Sequence, residues 1–235
     1  MAQPHIQPLV FIGASTAFSE INGLIRDINR EKETYDVVAI VDDNSALHGH
    51  QLEGVSVIGS LECVHQYPNA KFVFGIGSFR NRIVRYEILK RLNVADDRFV
   101  TLIHPSCNIY PGTRVGPGSI VHAGVVIGGG AVLEPFAIVT FNSVIGSYVR
   151  MGRCAMVTTM VVVLTGVQIG PCSFIGAQSC LAENIKIGPG AMIGMGSCVY
   201  RDVPAGAFVL GNPAKKVYTI NVPQELENLW QEEKI

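Results

Sequence analysis

The chain has 235 residues, of which 48% are hydrophobic and 16% charged, with a formal net charge of −1. Such a balance supplies a packed core, excludes a largely disordered chain, and lacks the cationic surface that nucleic acid or an anionic membrane would require. No run reaches the ~18 consecutive apolar residues of a membrane span, and MAQPHIQPLVFIG has neither the basic start nor the long apolar stretch of a secretory signal. The expectation is a soluble cytoplasmic protein. Six cysteines (Cys63, Cys107, Cys154, Cys172, Cys180, Cys198) form no CxxC pair and no zinc-like spacing with histidine, so they read as reduced thiols filling small spaces, and no metal is expected.

In chain order, residues 8–13 (PLVFIG) predict a buried strand, and Gly13-Ala14-Ser15 a turn into a helix over 16–30. A second strand, VVAIVDD, ends on Asp42-Asp43. A third apolar run, FVFGIG over 72–77, leads into SFRNRIVRYEILKRL, whose apolar residues recur at helical spacing. FVTLIHP then reads as a strand entering the next unit. Strands alternating with helices predict a parallel sheet with helices around it. Free N–H groups and the dipole at the helix start after Gly13 favour a phosphate, and Asp42-Asp43 suit a ribose or base edge. The full dinucleotide fingerprint is absent, because Gly13 stands without further glycines, and a tight strand-to-helix connection explains the turn equally well.

From Ile103 the chain carries an aliphatic residue or Met at every sixth position through Val199, seventeen in succession without a slip. A small residue follows four places after most of them, as at Ser119, Ala137, Ser143 and Ser179, and Gly often follows directly, as at Gly116, Gly128, Gly146 and Gly152. Neither the 3.6-residue period of a helix nor the two-residue period of a plain strand gives a period of six. Short strands joined by tight turns do, with the aliphatic inward and Gly where the backbone needs positive φ. Three such faces make an eighteen-residue coil, and successive coils stack at about 4.8 Å. In Val161-Val162-Val163-Leu164 only Val163 is expected inward, so this run predicts an interface.

A small Rossmann-like unit running through Ile103-His104-Pro105-Ser106 into hexapeptide coils resembles the hexapeptide-repeat sugar acyltransferases of the sialic-acid O-acetyltransferase and UDP-aminosugar N-acetyltransferase group, over residues 8–217. The resemblance implies an α/β Rossmann-like N-terminal domain followed by a left-handed parallel β-helix: residues 1–102 for a nucleotide-linked sugar, 103–217 for acyl transfer, and a tail helix within 218–235. That acidic tail could pack on a neighbouring copy through Leu226, Leu229 and Trp230. It also implies a homotrimer with sites between prisms, and acetyl-CoA as co-substrate. Carried over residue by residue, the sugar nucleotide meets Gly13, Ala14, Ser15, Asp42, Asp43, Gly77, Ser78 and Arg80. Coenzyme A lies along Gly176, Ala177, Gly194 and Gly196, beneath the closing segment Gly211, Asn212, Pro213, Ala214, Lys215 and Lys216, whose lysines can neutralise its phosphates. That segment also reads simply as a cap on the open prism end.

Relatives carry a catalytic histidine two residues after an inward aliphatic. After Ile145 that place holds Ser147, followed by Tyr148, and a serine hydroxyl is not a base near neutral pH. His104 and His122, eighteen residues apart, should stack on one corner below Thr140 and Thr158, on surface adjoining Ser147; His122 is the candidate base. Asn142 and Ser143 are candidates to orient substrate or support an oxyanion. A sugar amine, unlike a hydroxyl, is nucleophilic once neutral, so the missing histidine favours N-acetyl transfer to an amino sugar in surface-polysaccharide or glycan biosynthesis. The alternatives are O-acetylation of a sialic-acid-type sugar with His122 as base, and a trimer that binds nucleotide sugar without catalysis.

Overall fold

The computed structural model describes residues 6–77 and 82–232. Seventeen two-residue strands, from Leu102–Ile103 to Cys198–Val199, each end on one of the periodic aliphatic positions. Every third strand pairs in parallel, so that Ile127 stands beside Ile145 and Ile145 beside Val163. Three ladders result, and the chain winds as a left-handed parallel β-helix. Inside, the inward aliphatics from Val121 to Ile193 are fully buried or nearly so.

The small-residue position also points inward. Ala131, Ala137, Ala155 and Ser143 are fully buried there, and so are Val149, Val161 and Val167. Val161 therefore belongs to the core, contrary to the expectation for the run at 161–164; Val162 is half-buried and Leu164 exposed.

The glycines directly after the aliphatics have a different cause from the one expected. Left-handed backbone falls instead three places after each aliphatic, at every sixth residue from Gly112 to Gly196, including Phe136, Asn142, Tyr148, Cys154 and Gln178. The glycines after the aliphatics lie under the backbone of the next coil. A Cβ at Gly128 would sit 2.5 Å from Ser147 N, and one at Gly146 2.7 Å from the Leu164 carbonyl carbon.

The N-terminal sheet comprises β1 (Gln7–Ile12), β2 (Tyr35–Val41), β3 (Gln51–Leu52), β4 (Val55–Gly59) and β5 (Lys71–Phe74), in the order β3-β4-β2-β1-β5. The β3–β4 hairpin, turning on Glu53-Gly54 in left-handed conformation, adds an element the strand pattern did not announce. Alternation along β1 sends Leu9 and Phe11 to one face and Val10 and Ile12 to the other. On the first face lies α1 (Ala17–Glu31), burying Phe18, Ile21, Leu24 and Ile25 at helical spacing. The outward residues Leu102, Ile120, Ile138 and Met156 of one β-helix ladder complete that layer.

On the second face lies α2 (Arg82–Leu92), with Leu89 and Leu92 packed on a corner column of diminishing size: Phe136, Cys154, Cys172 and Gly190. The tail helix α3 (Gln224–Glu232) packs its Leu226 and Leu229 into the same cluster, and Glu225 pairs with Lys90 at 2.7 Å. The leucines expected to meet a neighbouring copy are thus engaged within the chain. No helix among the described residues is long and apolar enough to cross a membrane.

Arg85 of α2 is fully buried. Its Nη2 donates to Phe136 O at 3.0 Å and its guanidinium lies 5.2 Å from the Phe74 ring centroid, while Nε finds no partner. Among the described residues no carboxylate pairs with it. A buried charge without a counter-ion is an expensive arrangement. Arg85→Met is expected to hold or raise stability in urea unfolding, whereas Gly146→Ala should lower it by about 1–3 kcal/mol through overpacking. Gln178→Gly, relieving a left-handed side chain, should be neutral or stabilising by up to about 1 kcal/mol.

Candidate active site

In the N-terminal sheet the chain order reverses at β1, with β2 on one side and β5 on the other, and the loops leaving β1 and β5 diverge into a crevice. The floor of this crevice is the β-helix itself. A cavity of about 290 Å³ opens between Thr16, Ala17 and Glu20 at the start of α1, Gly75 and Gly77 after β5, and Ile120, His122, Ile138, Thr140 and Met156 beneath. Gly77 is thereby brought to the cavity as expected. Ser78 and Arg80 lie outside the described residues.

His122 is 3% exposed, its ring 4.6 Å from that of Phe141 and its Nε2 3.4 Å from Glu20 Oε1. Burial first, and then the nearby His104, pull its pKa down to about 4, so the imidazole is neutral at neutral pH. Burial raises the half-buried Glu20 above the ordinary carboxylate range. His104 stands one coil below, its Nδ1 accepting from Ser106 N at 3.0 Å and its Nε2 3.3 Å from Asp27 of α1. The two histidines do share a corner, and α1 lays a carboxylate against each.

Several sequence assignments need correction. His122 and Ser147 do not adjoin within the chain: His122 follows strand Ile120–Val121 and Ser147 follows Val144–Ile145, which belong to different ladders. Positions alike in the six-residue phase recur at all three corners, and only a step of eighteen returns to the same one. Ser143 faces the interior, donating to Thr158 O at 2.8 Å and accepting from Val161 N, so no substrate reaches it. Asn142 is exposed on the His122 corner, with left-handed backbone.

At the front turn, Ala14 N–H donates to Asp42 Oδ2 at 2.6 Å and Asn44 N–H to Asp42 Oδ1 at 2.8 Å. Asp43 accepts from Leu61 N–H and from Arg91, whose pairing holds the carboxyl below its usual range. The Ala14 donor is thus engaged by the protein, and each carboxylate accepts two hydrogen bonds from it, which leaves lone pairs on both. Gly13, at φ 105°, is required by the second loop, since a Cβ there would lie 2.6 Å from Ile76. The Ser15 hydroxyl accepts from Ala17 N–H at 3.3 Å.

One coil above Thr140 a second cavity begins at Thr158. It holds about 470 Å³ and is lined by Ala177 and Gly194 together with Phe174, Met192, Phe208 and Leu210. Gly176 is buried under the backbone of the next coil and lines nothing; Gly196 is exposed. Residues 211–214 fold back over the last coil, where Cys198 N donates to Gly211 O and Ala214 N to Cys198 O. This is the cap that an open prism end needs. Beneath it lies a further cavity of about 510 Å³, lined by Pro213, Ala214, Lys215 and Lys216 and also by Arg201, a cation that the sequence reading passed over. Glu20 was missed as well. Its signal was the apolar spacing of α1, which fixes the helix face that looks onto the His column. No cluster of three or more potential metal ligands occurs among the described residues.

No protein-family model matches the chain, and no curated protein is similar to it. Solved structures are. A histidine-substituted variant of perosamine N-acetyltransferase from Caulobacter crescentus, in complex with CoA and GDP-perosamine, is 26% identical, with a TM-score of 0.77 over 92% of this chain and 100% of that one. The acetyltransferase domain of PglB from Neisseria gonorrhoeae, in complex with acetyl coenzyme A, is 25% identical, with a TM-score of 0.77 over 90% of this chain and 100% of the domain. WeeI from Acinetobacter baumannii, 24% identical with a TM-score of 0.53 over 90% and 100%, shares the fold.

Because the folded-state pKa of His122 lies below its unfolded value, the unfolded chain binds the extra proton as pH falls, and stability is lost between about 6.5 and 4. Urea unfolding at pH 7 and pH 5 should differ by roughly 2 kcal/mol in the wild type from this residue. His122→Asn should remove most of that difference.

Proposed function

We propose that the chain moves an acetyl group from acetyl-CoA to the amino group of a nucleotide-linked amino sugar, as a homotrimeric cytoplasmic enzyme of glycan biosynthesis. The observation that carries this reading is the pair of cavities on one edge of the β-helix, in a chain that is similar over nearly its whole length to sugar acetyltransferases bound to CoA. The lower cavity, at the strand ends of the N-terminal sheet, suits the sugar. The upper one, apolar and rimmed by Ala177 and Gly194, suits the pantetheine arm, which leads towards Arg201, Lys215 and Lys216 for the phosphates.

In the reaction the amine nitrogen attacks the thioester carbonyl, the C–S bond breaks, and the departing thiolate takes a proton from the nitrogen. Thr140 of the lower cavity and Thr158 of the upper one stand one coil apart where the cavities meet, and this reading assigns them, with Asn142 exposed on the same corner, the positioning of acceptor and carbonyl. A histidine held near 4 is a weak base, which argues against O-acetylation driven by His122 and for an acceptor that needs no strong base. Ser147 then has no catalytic duty to fill.

Support for the trimer comes from the three β-helix faces. One is covered by α1, and another presents Arg114, Arg150, Gln168 and Lys186. The third presents Val126, Val144, Val162, Cys180 and Cys198 in one column on which no described helix packs, with Val144 39% exposed and residues 211–214 folding back only at Cys198. An apolar strip of that length fits a second copy.

Incubation with acetyl-CoA and a panel of nucleotide sugars should add the mass of one acetyl group to an amino sugar and not to hydroxy sugars; the absence of product with every amino sugar would overturn the reading. His122→Asn should keep turnover within a few-fold, and a hundredfold loss would return the imidazole to the role of base. Val144→Asp should reduce the sedimentation coefficient to that of a monomer.

A further inference from the structure

The lower cavity has an unusual charge. Among the described residues that line it, Glu20 is the one formally charged side chain, and neither Lys nor Arg faces it. The Glu20 side chain is about half buried, and its neighbour within ion-pair distance is His122, which is neutral. Glu20 sits in the first turn of α1, where the helix dipole favours a carboxylate, while partial burial pushes its pKa upward. Among the described lining residues the crevice therefore presents one partly desolvated carboxylate, beside His122 and Thr140, with no cationic side chain facing it; the buried Arg85 lies behind the wall at Gly77 and Met156.

That charge selects among ligands. A diphosphate is repelled from it, and a sugar hydroxyl leaves it uncompensated. An ammonium neutralises it and gains a charge-assisted hydrogen bond. The volume agrees, since about 290 Å³ lies at the lower end of the roughly 300–1,000 Å³ of ordinary ligand sites and suits one sugar ring rather than a whole nucleotide sugar.

We infer that Glu20 is the receptor for the acceptor's ammonium and sets the preference of this site for amino over hydroxy sugars. The inference rests on the N-acetyl reading and deepens it. Glu20 also receives the proton that the ammonium must lose before attack: R–NH3+ and the carboxylate become R–NH2 and the carboxylic acid. The amine then attacks the thioester carbon, the C–S bond breaks, the second proton goes to the CoA thiolate, and the acid returns its proton to water. The group that handles the proton thus comes from the N-terminal domain, not from the β-helix corner where Ser147 stands.

Calorimetric binding without acetyl-CoA tests this apart from catalysis. Each amino sugar of the panel is compared with its counterpart bearing oxygen in place of the amino nitrogen, on the wild type, Glu20→Gln and Glu20→Asp. At least one pair should show a preference for the amine of roughly ten- to a hundredfold on the wild type. Glu20→Gln should abolish that preference with an unchanged melting temperature, and Glu20→Asp should retain part of it. The inference is overturned if no pair shows a preference, or if Glu20→Gln preserves it. Failure of the transfer reading would show separately, as absence of acetylated product.

Discussion

Everything in this molecule follows from how closely one coil lies on the next. Backbone stacked on backbone at strand spacing leaves no room for a Cβ wherever a turn crosses the turn below, which is why Gly128 and Gly146 carry none. It also demands a left-handed residue at each corner, and the chain meets that demand with side chains as often as with glycine. The cost is borne collectively by the interior, where Val, Ile, Leu and Ala fill most of the prism beside a few hydrogen-bonded serines such as Ser143 and Ser179. A repeat this strict fixes columns eighteen residues apart, and those columns are what place the site.

The site itself arises where two folds meet. The N-terminal sheet supplies a crevice at its point of reversal, as open α/β sheets do, but here a second domain closes the bottom of it. The apolar seam of Phe18 and Ile21 against Ile120 and Ile138 holds the two together. That seam dries the surroundings of His122 and Glu20 and so sets their charge states. Position and electrostatics thus have one origin: the helix that docks the domains also carries the carboxylates.

The six-residue period made the β-helix and its periodic inward aliphatics legible, because no other regular structure produces that number, but not the second inward position held by Val161 and Ser143. Its outward geometry was less legible. The period of six hides which of three faces a residue occupies, so His122 and Ser147 look like neighbours in a linear count and are not. Ser143 looked available because a serine is polar; the ladder places it inside, where its hydroxyl serves Thr158 and Val161. The strand ends suggested Asp42 and Asp43 as ligand groups but not their bonds to Ala14, Asn44, Leu61 and Arg91, which come from distant segments as well as the next turn. The spacing of α1 fixed the face on which Glu20 stands but not that it would meet His122, and Arg201 emerged only from the fold of the cap, which no local pattern encodes.

The corner column that runs from Phe136 through Cys154 and Cys172 to Gly190 goes from an aromatic ring to two thiols and then to no side chain. Helix α2 and the tail helix both pack their leucines on it, so this corner anchors the segment that follows the Gly77 loop to the prism.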